Sequence, residues 1–164
     1  MMFDEITGLD LDDFIARFGF LFEHSPWIVA AAADRRPFAD LEAMRAALME
    51  VVAESSPEAQ LALLRAHPEL AKKVAMTAES TAEQASAGLD RLSPEEFERF
   101  HRLNDAYSAK FGFPFIICVR LTDKAGILAA MEIRAGNRVE TELHTALREV
   151  GKIVQLRLKD VVSE

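Results

Sequence analysis

Leu143, Ala146, Leu147, Val150, Ile153, Val154 and Leu158 recur at three- and four-residue steps near the end of the chain. That period places them on one face of an α-helix. A long helix with one apolar stripe must bury it against other elements. The helix is predicted to open at Asn137 with Glu140, and Gly151 within it permits a bend or a close contact. The same period recurs upstream in Leu41, Met44, Leu48, Val51 and Val52 after Asp40. It recurs in Phe97, Phe100, Leu103, Asn104 and Tyr107, and again in Ile127, Leu128, Met131 and Ile133.

Start and stop signals frame these stripes. Asp10, Ser25-Pro26, Asp40, Ser56-Pro57, Ser93-Pro94, and Asp123 or Thr122 are N-terminal signals. Ser93 with Glu96 and Ser80 with Glu83 have capping-box spacing, and Gly19 and Gly88 are candidate C-caps. Leu70, Val74 and Met76 suggest one or two further turns after Pro68. These patterns predict an all-α fold, a single compact bundle of about seven to nine short and medium helices with one long C-terminal helix. No linker divides the chain, so one domain over 1–164 is expected.

One stretch breaks the period. Phe111-Gly112-Phe113-Pro114-Phe115-Ile116-Ile117-Cys118-Val119 is densely apolar. A strand there would have no evident partner for its backbone groups. A buried extended turn leading into another helix fits better.

Composition removes several classes. A formal net charge of -8 argues against a nucleic-acid binder, which would normally show a basic face. No apolar run has the length of a membrane span, and the acidic start is unlike a targeting leader. Cytoplasm is the expected location. The single Cys118 excludes an intrachain disulfide and reads as a small buried hydrophobe. His24, His67, His101 and His144 form no recognised metal-ligand spacing, and neither a phosphate-cradling glycine loop nor a serine nucleophile elbow is present. No metal and no cofactor are expected.

A cofactor-free acid–base site remains. His67 stands where the pattern over 57–66 meets Pro68. The residue before proline is pushed out of the α region, so the helix should stop near His67. A helix-end histidine commonly donates to the last carbonyls, but imidazole also titrates near neutral pH. Glu83 has two readings as well: the capping-box carboxylate, or a carboxylate pointing into a pocket. Arg157, between Leu156 and Leu158, either snorkels or offers a planar fork to a carboxylate or carbonyl. Arg120, Arg134, Arg138 and Arg148 look more surface-like.

Three stretches then combine: His67-Pro68-Glu69-Leu70-Ala71; Ser80-Thr81-Ala82-Glu83-Gln84-Ala85-Ser86-Ala87-Gly88-Leu89; and Asn104-x-x-Tyr107-x-x-x-Phe111-Gly112-Phe113-Pro114-Phe115-Ile116. With Arg157-Leu158, they resemble the OHCU decarboxylase family, which acts on 2-oxo-4-hydroxy-4-carboxy-5-ureidoimidazoline in urate degradation. The resemblance covers nearly the whole chain. It implies a cofactor-free, all-helical enzyme, usually a homodimer, that forms (S)-allantoin and CO2. It implies that His67, Glu83 and Arg157 are the catalytic groups. It further implies that Pro68, Ser80, Gln84, Phe115, Ile116 and Ile117 contact substrate alongside Glu83 and Arg157. Lys72-Lys73 departs from the glycine the family often carries soon after the His-Pro motif. The alternatives are a non-catalytic helical binding module, or an enzyme of the same fold acting on a different ureido or imidazoline substrate.

Overall fold

The computed structural model describes residues 1–72 and 75–164. Lys73 and Val74, which entered the expectations above, lie outside the described residues. Among the described residues the fold is all-α. It has eight α-helices, three 3-10 helices and one isolated bridge between Met2 and Ser163. The chain divides into two compact units, Met1–Ala66 with Gly151–Glu164, and His67–Val150.

In the first unit, α1 (Leu11–Phe18) packs on α2 (Pro26–Ala33), and α2 packs on α3 (Leu41–Glu54). The short α4 (Pro57–Arg65) follows. The caps follow the sequence signals. Asp10, Asp40 and Ser56 each accept the backbone N–H three residues on, at 2.8, 2.7 and 3.1 Å. Phe14, Phe18, Phe22, Ile28, Met44 and Leu48 are buried here. The Phe14 and Phe18 rings are tilted, with centroids 5.1 Å apart.

In the second unit lie α5 (Ala78–Ser86), α6 (Pro94–Phe111) and α7 (Lys124–Arg134). The last helix, α8 (Val139–Val161), begins in this unit and ends in the first. Phe100, Tyr107, Phe111, Phe113, Phe115, Ile127, Met131 and Ala146 are buried here. The Ser93 capping box forms with both hydrogen bonds, Ser93 N–H to Glu96 at 2.9 Å and Glu96 N–H to Ser93 at 3.1 Å. The Glu96 carboxyl is held below the usual carboxylate range, chiefly by the Ser93 backbone and then by Lys124.

Several expectations are corrected. The helical turns expected directly after Pro68 do not form among the described residues: 66–72 and 75–77 are turn or coil, and side chains of α5 and α6 hold the backbone at Ala71 and Leu70 instead. Thr77 caps α5 by accepting the Ser80 N–H at 3.2 Å, so Ser80 with Glu83 is not the capping box. The helix starts one turn earlier than the box spacing implied. Ile133 is 72% exposed, since it falls two residues past Met131 and off the buried face of α7. α8 starts at Val139, and the Asn137 amide instead donates to Glu142 at 3.0 Å. Arg134 is buried, for a reason given below.

Candidate active site

Two residues after the end of α4, His67 opens an irregular loop in the second unit. His67 and Pro68 are both partly buried. The loop is pinned at successive residues. Glu69 accepts from Ser108 Oγ at 3.1 Å and forms an ion pair with Lys72 Nζ at 2.6 Å. The Glu69 carboxylate correspondingly raises the Lys72 pKa. Asn104 Nδ2 donates to the Leu70 carbonyl at 2.8 Å. The Ala71 N–H donates to Gln84 Oε1 at 3.1 Å. The last two bonds satisfy backbone groups that a non-helical loop would otherwise leave without a partner. Lys72, one half of the departure from the family pattern, is thus spent on Glu69.

Helix α5 carries Ser80, Glu83 and Gln84, spaced so that all three share one side of the helix. Ser80 and Gln84 are buried, and Glu83 is partly buried. Since Thr77 takes the capping role, Glu83 lies mid-helix and its carboxylate is not committed to a box. Gly88 closes the helix at φ +81, with Gly88 N–H to the Ala85 carbonyl and Leu89 N–H to the Gln84 carbonyl, both at 3.0 Å. That bond pair is the glycine-closed Schellman end.

The apolar stretch after α6 is the buried extended segment expected from sequence. Gly112, at φ +77, ends α6 and turns the chain inward. Phe115, Ile116 and Cys118 are buried, and Ile117 is partly buried. Side chains take the place of a neighbouring strand. Arg134 Nη1 donates to the Ile116 carbonyl at 2.8 Å, with its guanidinium carbon 4.2 Å from the Phe115 ring centroid. The Cys118 N–H donates to Glu149 Oε1 at 3.1 Å. Arg134 is buried because Glu142, itself 0% exposed, accepts its Nε–H at 2.8 Å and the Tyr107 hydroxyl at 2.6 Å. The segment ends in a 3-10 turn, Val119–Leu121, packed against α5. Burial first, then the charges of Glu149 and Glu83, push the Cys118 thiol up. The Glu83 carboxylate therefore acts electrostatically on this segment. Within the second unit, the His67 loop, the Glu83 helix and the Phe115–Cys118 backbone are tied together.

Arg157 belongs to the first unit. It is 3% exposed, and its guanidinium donates to Glu23 Oε1 at 2.8 Å and to the Phe20 carbonyl at 2.7 Å. Among the described residues, the non-glycine residues with positive φ are His24 (+48) and Ala71 (+62). One follows Glu23, the partner of Arg157, and the other lies in the His67 loop. Non-glycine residues held in this region cluster at functional sites. Among the described residues no group of three or more His, Cys, Asp or Glu side chains is arranged to hold a metal ion.

A model of the family described as OHCU decarboxylase matches residues 7–159. The chain belongs to the OHCU decarboxylase family.

A relative from Haloferax volcanii, named 2-oxo-4-hydroxy-4-carboxy-5-ureidoimidazoline decarboxylase, is 46% identical over 156 residues, covering 95% of this chain and 93% of the relative. A crystal structure of OHCU decarboxylase in the presence of (S)-allantoin is 25% identical, with a TM-score of 0.71, covering 87% of this chain and 94% of that one. A crystal structure of (S)-allantoin synthase is 29% identical with a TM-score of 0.82, covering 99% of this chain and 54% of that one. Membership of the family accounts for the combination of motifs read in the sequence. Nothing in the sequence marks the buried carboxylates Glu23, Glu142 and Glu149 as the partners of Arg157, Arg134 and the Cys118 N–H. Glu142 and Glu149 lie on α8 beside its apolar stripe, where a glutamate ordinarily marks the solvent edge. Glu23 sits in a turn that offered no periodic signal.

Proposed function

We infer that this chain is an OHCU decarboxylase, a carboxy-lyase of urate degradation that forms (S)-allantoin and CO2. The observation that carries this is the family match over 7–159, which spans every motif discussed above.

The substrate contains its own electron sink. Its carboxylate sits on the hydroxyl-bearing ring carbon next to a ring C=N. When the bond to CO2 breaks, its electron pair becomes a C=C bond between those two carbons, and the C=N pair moves onto nitrogen, which takes a proton. The hydroxyl then gives up its proton to restore a carbonyl, and the neighbouring carbon is protonated on one face. Neither pyridoxal phosphate nor thiamine is required for that electron flow. The protein's task is to orient the substrate, stabilise the developing charge and direct one proton.

We propose that His67 works at the hydroxyl and carboxylate end and moves that proton. Glu83 accepts ureido or ring N–H bonds and thereby sets the face. Arg157 binds a ring or ureido carbonyl, or steadies the carboxylate before its loss. Pro68, Ser80, Gln84 and the backbone of Phe115, Ile116 and Ile117 contact the substrate. What supports these roles is the pinning of the His67 loop to Gln84 and Asn104, the absence of a capping duty for Glu83, and the buried backbone at Ile116. We propose further that 1–164 forms one catalytic domain, homodimeric and cytoplasmic. No helix among the described residues is long and apolar enough to cross a membrane.

The test is the rate of (S)-allantoin formation from freshly generated substrate. His67→Ala is expected to lower kcat by roughly 10²- to 10⁴-fold, the usual range for loss of a positioned acid–base group. Unchanged turnover would remove His67 from the chemistry. An inactive wild-type protein on this substrate would favour a different ureido or imidazoline substrate.

A further inference from the structure

We propose that Glu23 is the positioning residue of Arg157, fixing the guanidinium that holds the substrate. This rests on the reading that Arg157 binds substrate.

Glu23 is 2% exposed, although it lies in a turn between α1 and α2 rather than in a helix. Turn glutamates normally face water, because a buried carboxylate without a partner is heavily penalised. Here the backbone is shaped to turn it inward. The following residue, His24, adopts φ +48, a region that a residue with a Cβ enters at a cost. Ser25 Oγ donates to the Glu23 carbonyl at 2.9 Å across that bend. The bend places Glu23 Oε1 2.8 Å from Arg157 Nη2, while the Phe20 carbonyl accepts from Nη1 at 2.7 Å. Both terminal nitrogens of the fork are thus held by residues of one short segment.

An arginine side chain carries several freely rotating bonds, and ordering it has a substantial entropic cost. Two hydrogen bonds meet that cost in the folded protein, before substrate arrives. The guanidinium plane is then fixed, and its donors present one geometry to a planar carbonyl or carboxylate. Glu23 touches no reacting atom. Its effect reaches the substrate through Arg157.

The experiment uses the full chain, with Glu23→Gln, Glu23→Ala, Arg157→Gln and the double variant Glu23→Ala/Arg157→Gln. Gln keeps an oxygen acceptor for Nη2 but loses the charge, whereas Ala loses both. KM is expected to rise about threefold in E23Q and about tenfold in E23A, with kcat changing by less than about threefold, as when an interaction shared by ground and transition states weakens. A merely structural lesion would reduce the active fraction, lowering kcat with KM unmoved. In the Arg157→Gln background, removing the Glu23 carboxylate should change KM by less than about twofold, because the pair acts as a unit.

A wild-type KM in E23A, or a fall confined to kcat, overturns the proposal. So does an equal effect of Glu23→Ala in both backgrounds. If E23A does not fold, E23Q decides alone, and a wild-type KM for it is fatal. If Arg157→Gln itself leaves KM unchanged, the substrate-binding role of Arg157 fails and the proposal falls with it. A raised KM in Arg157→Gln with an unmoved KM in E23A ends the positioning claim only.

Discussion

Cys118 reports on its surroundings at the scale of one residue. Its thiol is buried, and burial, Glu149 and Glu83 all disfavour the thiolate. Thiolate is the reactive form. The native protein is therefore expected to react with an aromatic disulfide reagent at pH 8 only as fast as it opens, while the denatured chain reacts at once. Native labelling as fast as denatured labelling would contradict the placement. The stability consequence has a definite sign. The folded pKa lies above the unfolded one, so this contribution is complete below about pH 8.5, the ordinary thiol value, and is lost as pH rises through the folded pKa. Cys118→Ala should flatten that alkaline decline. The burial of Cys118 is legible in the sequence, since it sits in an apolar run. The two carboxylates that act on it are not, because a contact between distant positions leaves no local pattern. The burial of Arg134 is illegible for the same reason. Its burial depends on Glu142 and the Ile116 carbonyl, with the Tyr107 hydroxyl bonded to the same Glu142 carboxylate, and these groups come from three separate segments.

Among the elements, those with local signals were the most legible. Asp10, Asp40, Ser56, Ser93 and Asp123 all cap the helices their positions implied. Helix α5 starts one turn before the position the box spacing predicts, because Thr77 rather than Ser80 takes the cap. Leu70, Val74 and Met76 predict helical turns after Pro68, yet the described part of that loop is set by tertiary hydrogen bonds from Gln84 and Asn104. Elimination points to the extended stretch through Phe115 and Ile116, but no local pattern indicates what holds it. The Arg134–Glu142 pair provides the testable case. Glu142→Gln would leave Arg134 as a buried charge without its counter-ion, so a loss of about 3–5 kcal/mol is expected in denaturant unfolding. Tyr107→Phe removes one hydrogen bond to a charged acceptor and should cost about 1.5–3 kcal/mol. Equal stability of Glu142→Gln and wild type would mean that the pair is not what holds this segment.

Charge matters most for the molecule taken whole. The chain carries a formal net charge of -8, and the substrate is itself an anion. Net charge supplies no long-range attraction between them. At about 0.1 M salt the repulsion is screened beyond roughly 10 Å, so recognition rests on groups within contact distance. The product (S)-allantoin keeps the ring and ureido groups but lacks the carboxylate. It should therefore bind through the hydrogen bonds proposed for Glu83 and Arg157, with little dependence on salt. A ligand that binds only the folded state stabilises it by mass action, by about 2.7 kcal/mol at a hundred times its Kd. Thermal melts with increasing (S)-allantoin should show a rising, concentration-dependent midpoint, and (R)-allantoin should give a smaller rise, because Glu83 is assigned to one face. Glu83→Gln should shrink the difference between the enantiomers. Equal shifts for both enantiomers with the wild-type protein would remove Glu83 from stereochemical control while leaving the decarboxylation reading intact, whereas no shift with either would count against the ureido contacts altogether.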